Sequence, residues 1–409
     1  MKIGIMLRHF NQHGGGVKNY TNYLLDELFK LNSEHEFFLI YNNPEFIGTY
    51  NHHENVTEIS IKISSRLLWD QIGVPWIHHK EKFDIIFNPK YSVPFLLSCP
   101  KVFVCHGLNS YLMPWGTKFL DRIYRKYIYP RYALVATSII SVSNSTKKNL
   151  IDFLNVEKDR IHTIHLGIHE LYRQKIEGKK LESIKKEYKL PDKFFLYAGQ
   201  IYPPKNFGRL LMAYSKVGPK LGIYLVVAGE HRWLCDEELE MVEKLGLSKW
   251  VIRPGWIKHS TLRYFFALSD ALLLPSLYEA CPSPILEAMA TGCPVLTSNR
   301  FGTEELAGDA AVLVDPEDIE SIANGMENIA VNQQLRNELI KKGYERSNSF
   351  SWSKCAKMTL NVLEKSAKIP QIKSKSVKVF KLKKKHKHLI IKPPAKLINV
   401  LILVLNFIN

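Results

Sequence analysis

Short apolar runs alternate with segments of helical periodicity along most of the chain. In the first half the apolar runs read KIGIML, FFLIY, DIIFN, KVFVCH and SIISVS, and a helical pattern follows the first of them at about residues 17–31. In the second half they read FFLYAG, IYLVVAG, WVIRPGW, ALLLPS, PVLTS and AAVLVD. Strands that are apolar throughout and separated by helices are typical of parallel sheets covered on both faces. The pattern therefore predicts an α/β protein of two Rossmann-like domains, each with its own parallel sheet.

A charged segment, LGIHELYRQKIEGKKLESIKKEYKLPDK, separates the two halves. We interpret residues 169–192 as an interdomain linker that carries a short helix of its own. The predicted boundaries are residues 1–168 for the first domain, 193–345 for the second, 346–365 for a helix and 366–409 for a basic tail.

Length and composition agree with two folded domains. The chain has 409 residues, of which 46% are hydrophobic, and this is enough for two α/β cores. Its six cysteines are scattered without a C-x-x-C pair or a metal-ligand spacing, which indicates reduced, buried thiols rather than a disulfide framework. The first apolar run is too short for a signal peptide. These features predict a cytoplasmic protein.

The positive charge is concentrated at the C-terminus. Of the formal net charge of +17, twelve charges are lysines that follow Glu364, where no acid occurs, so the rest of the chain carries only +5. The tail joins this basic run to an apolar end at residues 397–408, which is shorter than the about 20 residues that span a bilayer. An apolar end beside lysines suits an anionic membrane surface. A solvated tail and a helix that docks on a partner remain as alternatives.

Ligands of open parallel sheets lie at the carboxyl ends of the strands, so the loops there are candidate sites. After the first strand, Gly14, Gly15 and Gly16 precede a helix, where backbone N–H groups can approach an anion. The spacing fits neither a dinucleotide fingerprint nor a P-loop, and a plain flexible turn is the alternative. His106 ends another strand, and Lys205 with Asn206 begins a helix after a Pro-Pro pair. A structural histidine and a surface lysine are the corresponding alternatives.

The segment YEACPSPILEAMATGCPV places two glutamates around a Pro-Ser-Pro sequence. Ser283 is predicted to cap a helix that continues with Pro284, which makes Glu287 its fourth residue. A capping box requires the acid one residue earlier, so capping does not explain Glu287. Glu279 lies in the loop before the helix. Both carboxylates are predicted to reach one cleft, where they suit a ligand rich in hydroxyl groups, and two solvated acids are the alternative.

Together these motifs resemble those of retaining glycosyltransferases of the GT4 family (glycosyl transferases group 1), which have the GT-B fold. The resemblance spans about residues 1–365 and rests on Y-A-G-x-x-x-P-x-K-N, on P-G-W-I, on the E-x7-E of Glu279 and Glu287 followed by A-M-A-x-G-x-P-V, and on GTEELAGDAAVLVDPED. It implies two domains that face each other across a cleft, with a helix near residues 351–363 crossing back to the first domain.

The resemblance also implies the ligand and the role of each residue. A nucleotide-diphosphate sugar, as a co-substrate and with no further cofactor, would lie mostly on the second domain. Lys205 would contact the diphosphate, Glu287 the ribose and Glu279 the transferred sugar. His106 would lie near the reaction centre. Further donor contacts are implied for Gly15, Gly16, Asn206, Trp256, Ile257, Cys281 and Ser283.

The implied reaction is a metal-independent transfer with retention of configuration. Negative charge that develops on the leaving diphosphate would be stabilised by the lysine, the glycine N–H groups and a helix N-terminus. The acceptor hydroxyl would lose its proton to that phosphate, so no side-chain nucleophile is expected. Two features depart from the family. Gln200 stands where an arginine is common, and the loop ACPSP, residues 280–284, replaces a glycine-rich one, which leaves fewer backbone donors.

The acceptor is less specified by the sequence. The segment TKFLDRIYRKYIYPRY has apolar residues at helical spacing among four cations, so it is either a half-buried helix with a basic face or a membrane-binding one. With the tail, it favours a lipid-linked glycan or a surface polysaccharide precursor at the cytoplasmic face of the membrane. A non-catalytic GT-B subunit of a glycan assembly complex and a sugar-nucleotide epimerase are alternatives. A nucleic-acid partner is not expected, since the body is only modestly basic and has no recognition motif.

Overall fold

The structure is a computed structural model that describes residues 1–10, 15–31, 34–230 and 236–370. Within these ranges the first sheet has seven parallel strands in the order β3-β2-β1-β4-β5-β6-β7. They are β1 (Lys2–Leu7), β2 (Glu36–Tyr41), β3 (Val56–Ser60), β4 (Ile85–Asn88), β5 (Lys101–Cys105), β6 (Ser138–Ser141) and β7 (Ile161–Thr163). The second sheet has six parallel strands in the order β10-β9-β8-β11-β12-β13. They are β8 (Phe194–Ala198), β9 (Tyr224–Ala228), β10 (Val251–Gly255), β11 (Ala271–Leu274), β12 (Val295–Ser298) and β13 (Val312–Val314).

Helices connect the strands and cover the sheets. In the first half they are α1 (Gly16–Lys30), α2 (Arg66–Leu68), α3 (Val74–Glu81), α4 (Asn109–Leu112), α5 (Phe119–Val135) and α6 (Asn144–Leu154). In the second half they are α7 (Gly178–Glu187), α8 (Phe207–Leu221), α9 (Asp236–Lys244), α10 (His259–Leu268), α11 (Ser283–Ala290), α12 (Phe301–Ala307), α13 (Ile319–Val331), α14 (Gln333–Asn348) and α15 (Trp352–Ala367). The predicted helix of the linker is α7.

Each apolar run used for the prediction contains a strand, and the fold class is confirmed. The strands β3 and β7 were not predicted from the sequence. Both lie at the edges of the first sheet, and VTEIS and IHT contain polar residues, so they lack the continuous apolar character of central strands. The strands β10 and β13, at the edges of the second sheet, are also mostly partly buried, but their segments WVIRPGW and AAVLVD keep an apolar run.

The last helix joins the second half of the chain to the first domain. The helix α15 begins after Ser351, whose hydroxyl accepts a hydrogen bond from the backbone N–H of Lys354 at 3.2 Å. It packs against α1 and against β4, β5 and β6. Its buried residues Trp352, Cys355 and Leu363 belong to the core of the first domain. The crossover predicted for this region is confirmed.

The two sheets each reverse their strand order once. In the first sheet the chain turns from β1 toward β2 and β3 and then returns to β4, and in the second it turns from β8 toward β9 and β10 and returns to β11. Such a reversal leaves a crevice beyond the carboxyl ends of the two central strands. The loops after β1, β4, β8 and β11 are therefore the places where a site is expected.

The remaining predictions concern thiols and the membrane. The cysteines of the described part, Cys99, Cys105, Cys281, Cys293 and Cys355, are free thiols. Within the described ranges, no helix is long and apolar enough to cross a bilayer. The basic tail after Pro370, on which the membrane prediction rests, lies outside the described residues.

Candidate active site

Lys205 is held in place by the segment that follows β8. Pro203, Pro204 and Lys205 form one turn of 3-10 helix, and Asn206 then takes a left-handed conformation with φ of 61°. The amide of Asn206 donates hydrogen bonds to the carbonyl oxygens of Pro275 at 2.9 Å and Pro316 at 2.6 Å. These bonds fasten the lysine turn to the carboxyl end of β11. The side chain of Asn206 is thus buried as a positioning group, and the donor contact implied for it stays a prediction.

Glu279 lies in the loop after β11 and faces Lys205. The two side chains form an ion pair between Lys205 Nζ and Glu279 Oε1, and each is only 12% exposed. The hydroxyl of Ser276 donates a further hydrogen bond to the same carboxylate oxygen at 3.1 Å. Burial acts to lower the pKa of Lys205, but the carboxylate of Glu279 raises it above its ordinary value. The lysine therefore carries its charge at neutral pH. Because β8 and β11 are neighbours, the sheet brings together two residues that the sequence had indicated separately.

Glu287 lies in the first turns of α11 and is 7% exposed. The helix begins at Ser283 and its N-cap is Pro282, so the prediction that Ser283 is the N-cap was wrong by one residue. Pro282 is extended and ends the loop, which leaves Ser283 and Pro284 as the first two helical residues. The N–H group of Ser283 has no intrahelical acceptor at this position, and Pro284 has no N–H group. Glu287 is consequently the fifth helical residue.

The carboxylate of Glu287 is buried among hydroxyl and imidazole groups. Burial raises its pKa above the ordinary value, while His259 and the hydroxyls of Ser283 and Tyr172 act in the opposite direction. The pKa of Tyr23, a residue of α1, is raised to about 12 by burial and by the negative charge of Glu287. Residues of both domains thus contribute to the surroundings of this carboxylate.

His259 connects the two domains beside Glu287. Its Nδ1 lies 2.7 Å from the hydroxyl of Tyr172, and its Nε2 lies 2.9 Å from Nδ2 of Asn19 on α1. Because an amide nitrogen can only donate, Nε2 accepts from Asn19. The sequence analysis did not identify Asn19, Tyr172 or His259. His259 could have been found from the sequence, because it begins the helix that follows the carboxyl end of β10. No sequence feature pointed to Asn19 or Tyr172.

His106 follows β5 in the first domain. Its Nε2 lies 2.7 Å from the carbonyl oxygen of Pro89, and its ring meets that of Tyr20 edge to face at 4.7 Å. Burial lowers the pKa of His106 to about 4, with Lys90 adding to the effect and the Pro89 carbonyl opposing it. The imidazole is therefore neutral at neutral pH. Since a carbonyl can only accept, the proton lies on Nε2, and Nδ1 has a lone pair that can accept a hydrogen bond.

The loop after His106 touches the loop that carries Glu279. Gly107 has a φ of 105°, and a Cβ atom there would lie 2.7 Å from the Cβ of Ala280. The backbone N–H of Leu108 donates to the hydroxyl of Tyr278 at 3.0 Å. Both the conformation and the close approach thus require glycine at position 107. Through this contact the loop after His106 in the first domain adjoins the loop of the second domain that carries Glu279, the partner of Lys205.

The other residues predicted to contact the donor lie at strand ends and helix starts of both domains. Gly15 is the N-cap of α1 and Gly16 its first residue, with open space where a side chain would stand, while Gly14 lies outside the described residues. Trp256 is 59% exposed and Ile257 is buried, both just beyond β10. Cys281 packs against the core of the first domain, and burial raises the pKa of its thiol. In the described part of the chain, no group of three or more His, Cys, Asp or Glu side chains is arranged to hold a metal ion.

Similarity to known proteins agrees with this geometry. The family model Glycosyltransferase Family 4 matches residues 14–170, and Glycosyl transferases group 1 matches residues 179–346. The O-antigen chain mannosyltransferase B of Escherichia coli is 29% identical over 70% of this chain and 75% of its own length. The serotype-specific mannosyltransferase WbdA of Escherichia coli is 27% identical over 69% of this chain, but the match spans only 35% of WbdA.

Solved glycosyltransferase structures share this fold. A solved glycosyltransferase structure from Rickettsia africae ESF-5 superimposes with a TM-score of 0.70 at 18% identity, covering 90% of this chain and 98% of that chain. The two family models cover every described strand except β1, and Lys205 and Glu279 of the family's motifs form an ion pair. The chain therefore belongs to the GT4-type glycosyltransferases and has the GT-B fold.

Proposed function

We propose that the protein is a retaining mannosyltransferase that extends a lipid-linked glycan or polysaccharide precursor of the O-antigen type. The observation that carries the proposal is the Lys205–Glu279 ion pair of the second domain, whose Glu279 loop adjoins the loop after His106 of the first. The mannosyltransferase names of two curated relatives support the choice of sugar. The donor is accordingly a nucleotide-diphosphate mannose.

Each charged group in the cleft then has one task. Lys205 binds the diphosphate and stabilises the charge that develops on it as the glycosidic bond breaks. Glu279, once the lysine is engaged by phosphate, accepts hydrogen bonds from hydroxyls of the transferred sugar. Glu287 accepts hydrogen bonds from the ribose hydroxyls. The N-terminus of α1 at Gly15 and Gly16 approaches the phosphates from the first domain.

His106 serves as a neutral acceptor. Its pKa of about 4 excludes a cationic imidazole at neutral pH, and its protonated Nε2 is committed to the Pro89 carbonyl. Nδ1 is left to accept a hydrogen bond from a sugar or acceptor hydroxyl. The acceptor proton passes to the departing phosphate on the same face as the new bond, which retains the configuration without a side-chain nucleophile or a metal ion.

The surface of the first domain fits a location on an anionic membrane. Phe119 and Leu120 at the start of α5 are 49% and 67% exposed, and Trp115 before them is 57% exposed. Lys118 and Lys126 are exposed on the same segment. Apolar side chains flanked by lysines insert into the headgroup region while the cations bind anionic lipids. We include the basic tail after residue 370 in the same membrane contact.

Vesicle flotation separates these two membrane contacts. We expect the full chain to float with vesicles containing anionic lipid, a chain ending at Pro370 to float less, and Leu120→Asp in that shortened chain to stay at the bottom. If the shortened chain floats as well as the full one, the tail is not an anchor. Lys158→Met, an exposed lysine on another part of the domain, is the control.

The transfer itself is tested by product analysis. The full chain is incubated with GDP-mannose and a lipid-linked mannose acceptor, and the anomeric configuration of the product is read by NMR. We expect an α-mannoside from the α-configured donor. A β-linked product would contradict retention, and GDP-mannose that stays intact in the presence of the acceptor would favour the non-catalytic alternative.

A further inference from the structure

A second group of charged residues lies at the other pair of central strands, in the first domain. Arg8 follows β1 directly, and Lys90 comes two residues after β4. Arg66, the first residue of α2, completes the group. These three cations line a small pocket together with His9, Asp70 and Asn88. The pocket therefore lies at the carboxyl ends of β1 and β4, where the strand order reverses.

The charges in this pocket do not balance. Asp70 is the carboxylate among its lining residues, it is fully buried, and its Oδ1 lies 3.9 Å from Arg8 Nε, beyond a direct hydrogen bond. Burial raises the pKa of Asp70 to about 6, although Arg8 acts to lower it. Three cations thus face one carboxyl group, whose raised pKa disfavours its negative charge.

The cations are also incompletely paired. The Nε atom of Arg66 is buried without a hydrogen-bond partner in the described part of the chain, and its guanidinium stands 4.6 Å from the centre of the Tyr124 ring. Burial and the positive charges of Arg66 and Arg8 lower the pKa of Lys90 to about 8. Bringing these like charges together costs free energy, and a bound anion would offset that cost.

The pocket adjoins the reaction centre from the acceptor side. Lys90 follows Pro89, whose carbonyl oxygen binds His106 at 2.7 Å. Next to Arg8, Nε2 of His9 lies 2.9 Å from the hydroxyl of Thr21, and burial, together with the charge of Lys90, lowers the pKa of His9. Lys205, in contrast, is fastened to the second domain. The pocket is thus a cationic site separate from Lys205. Its Lys90 is the sequence neighbour of Pro89, whose carbonyl oxygen binds His106.

We propose that Arg8, Arg66 and Lys90 bind a phosphate group carried by the acceptor, so that the hydroxyl to be glycosylated is delivered to His106. The inference rests on the proposed transfer and narrows its acceptor to a phosphate-bearing lipid or glycan. Two guanidinium groups can each donate paired hydrogen bonds to phosphate oxygens. The single carboxylate of the pocket has too few oxygens to accept all of these hydrogen bonds. The pocket is small, so an anion enters only as its lining side chains move apart.

Calorimetry on the full chain tests this site with two probes, octyl phosphate and inorganic phosphate. We expect octyl phosphate to bind at least about ten-fold more tightly than inorganic phosphate. Lys90→Met and Arg66→Met are each expected to weaken octyl phosphate binding about ten-fold or more, and Lys90→Arg to restore most of it. Lys158→Met, remote from the pocket, should bind as the unaltered protein does.

The donor is titrated in parallel, so that the two proposals fail separately. Nucleotide-sugar binding should change by less than about two-fold in Lys90→Met and be lost in Lys205→Met. If Lys90→Met weakens the nucleotide sugar as much as octyl phosphate, the pocket belongs to the donor and the inference is wrong. Equal affinity for octyl phosphate and inorganic phosphate would show that the pocket binds free phosphate, which would overturn the inference. Unaltered octyl phosphate binding in both Lys90→Met and Arg66→Met would also overturn it. If no nucleotide sugar binds the unaltered protein, the proposed function is rejected instead.

Discussion

Lys205 and Glu279 form an ion pair between the Nζ atom of one and the Oε1 atom of the other, although 74 residues separate them in the chain. The loops after β8 and β11 bring them together, and Asn206 fixes one loop to the end of the other strand. A diphosphate that binds Lys205 has to compete with Glu279 for the same ammonium group. In the proposed reaction, the pair thus links donor binding to the release of a carboxylate beside the sugar.

Glu279→Gln is expected to separate these two effects. Without the competing carboxylate, Lys205 binds a nucleoside diphosphate several-fold more tightly. Turnover falls about ten-fold, because a charged hydrogen bond to the sugar of about 1.5–3 kcal/mol is replaced by a neutral one of about 0.5–1.5 kcal/mol, and a difference of about 1.4 kcal/mol changes a rate ten-fold. Calorimetry with the diphosphate and a transfer assay measure the two quantities. Weaker diphosphate binding in the variant would show that Glu279 does not compete for Lys205.

Gln200→Arg is expected to tighten donor binding. Gln200 follows Gly199 at the end of β8, and its own carbonyl accepts a hydrogen bond from Tyr197 at 2.9 Å. A guanidinium here would add a second cation beside Lys205 and could bind a phosphate with paired hydrogen bonds. We expect about a ten-fold lower Kd for the nucleotide sugar by calorimetry, and a weaker complex for Gln200→Glu. Unchanged affinity in Gln200→Arg would mean that the side chain does not reach the diphosphate.

Glu287→Gln is expected to raise stability while it lowers activity. Because burial raises the pKa of Glu287 above its unfolded value, the folded protein is most favoured when the group is protonated, and stability is lost as the pH rises through the folded pKa. The amide removes this cost at neutral pH. We expect a higher Tm for the variant at pH 7, a smaller difference near pH 4, and at least ten-fold weaker nucleotide binding. A lower Tm at pH 7 would contradict this explanation.

Glu305 is expected to hold the two domains together. Its carboxylate accepts from the backbone N–H groups of Asn144 at 2.7 Å and Ser145 at 3.0 Å, at the start of α6, and lies 2.6 Å from Nε2 of His165. Although burial acts to raise it, the pKa of Glu305 is lowered by these hydrogen bonds. The stabilisation of the domain contact by Glu305 is therefore present at neutral pH and is lost as the pH falls through the lowered pKa of this carboxylate.

The test of this contact compares two neighbouring glutamates. Small-angle scattering of Glu305→Ala at pH 7 should give a larger radius of gyration than that of the unaltered chain. Glu304→Ala, a change at an exposed neighbour on the same helix, should not. Equal radii for the two variants would show that other contacts hold the domains together.

Much of the fold was predictable because burial on both faces makes central parallel strands apolar throughout. The edge strands β3 and β7 were not predicted because VTEIS and IHT contain polar residues and have no continuous apolar run. The start of α11 was misplaced by one residue because Pro282 and Pro284 both fit a helix start. Pattern alone locates such ends only to within a residue or two.

The site was predictable where a strand-end loop carried an unusual residue, as with His106 and Lys205. It was not predictable where contacts cross between domains. Asn19 gave no signal because its partner, His259, lies 240 residues away on another sheet's helix. The cationic pocket was missed although it lies within the first domain, because Arg8, Arg66 and Lys90 are ordinary basic residues until the first sheet brings them together.

The most direct measurement is calorimetric titration of the protein with UDP-, GDP-, ADP- and dTDP-sugars, repeated with Lys205→Met and, as a matched control, the exposed Lys220→Met. The account predicts that one nucleotide sugar, GDP-mannose, binds the unaltered protein and Lys220→Met alike and binds Lys205→Met at least about ten-fold more weakly. Binding that is unaffected by the loss of Lys205, or no binding by any of the sugars, would contradict it.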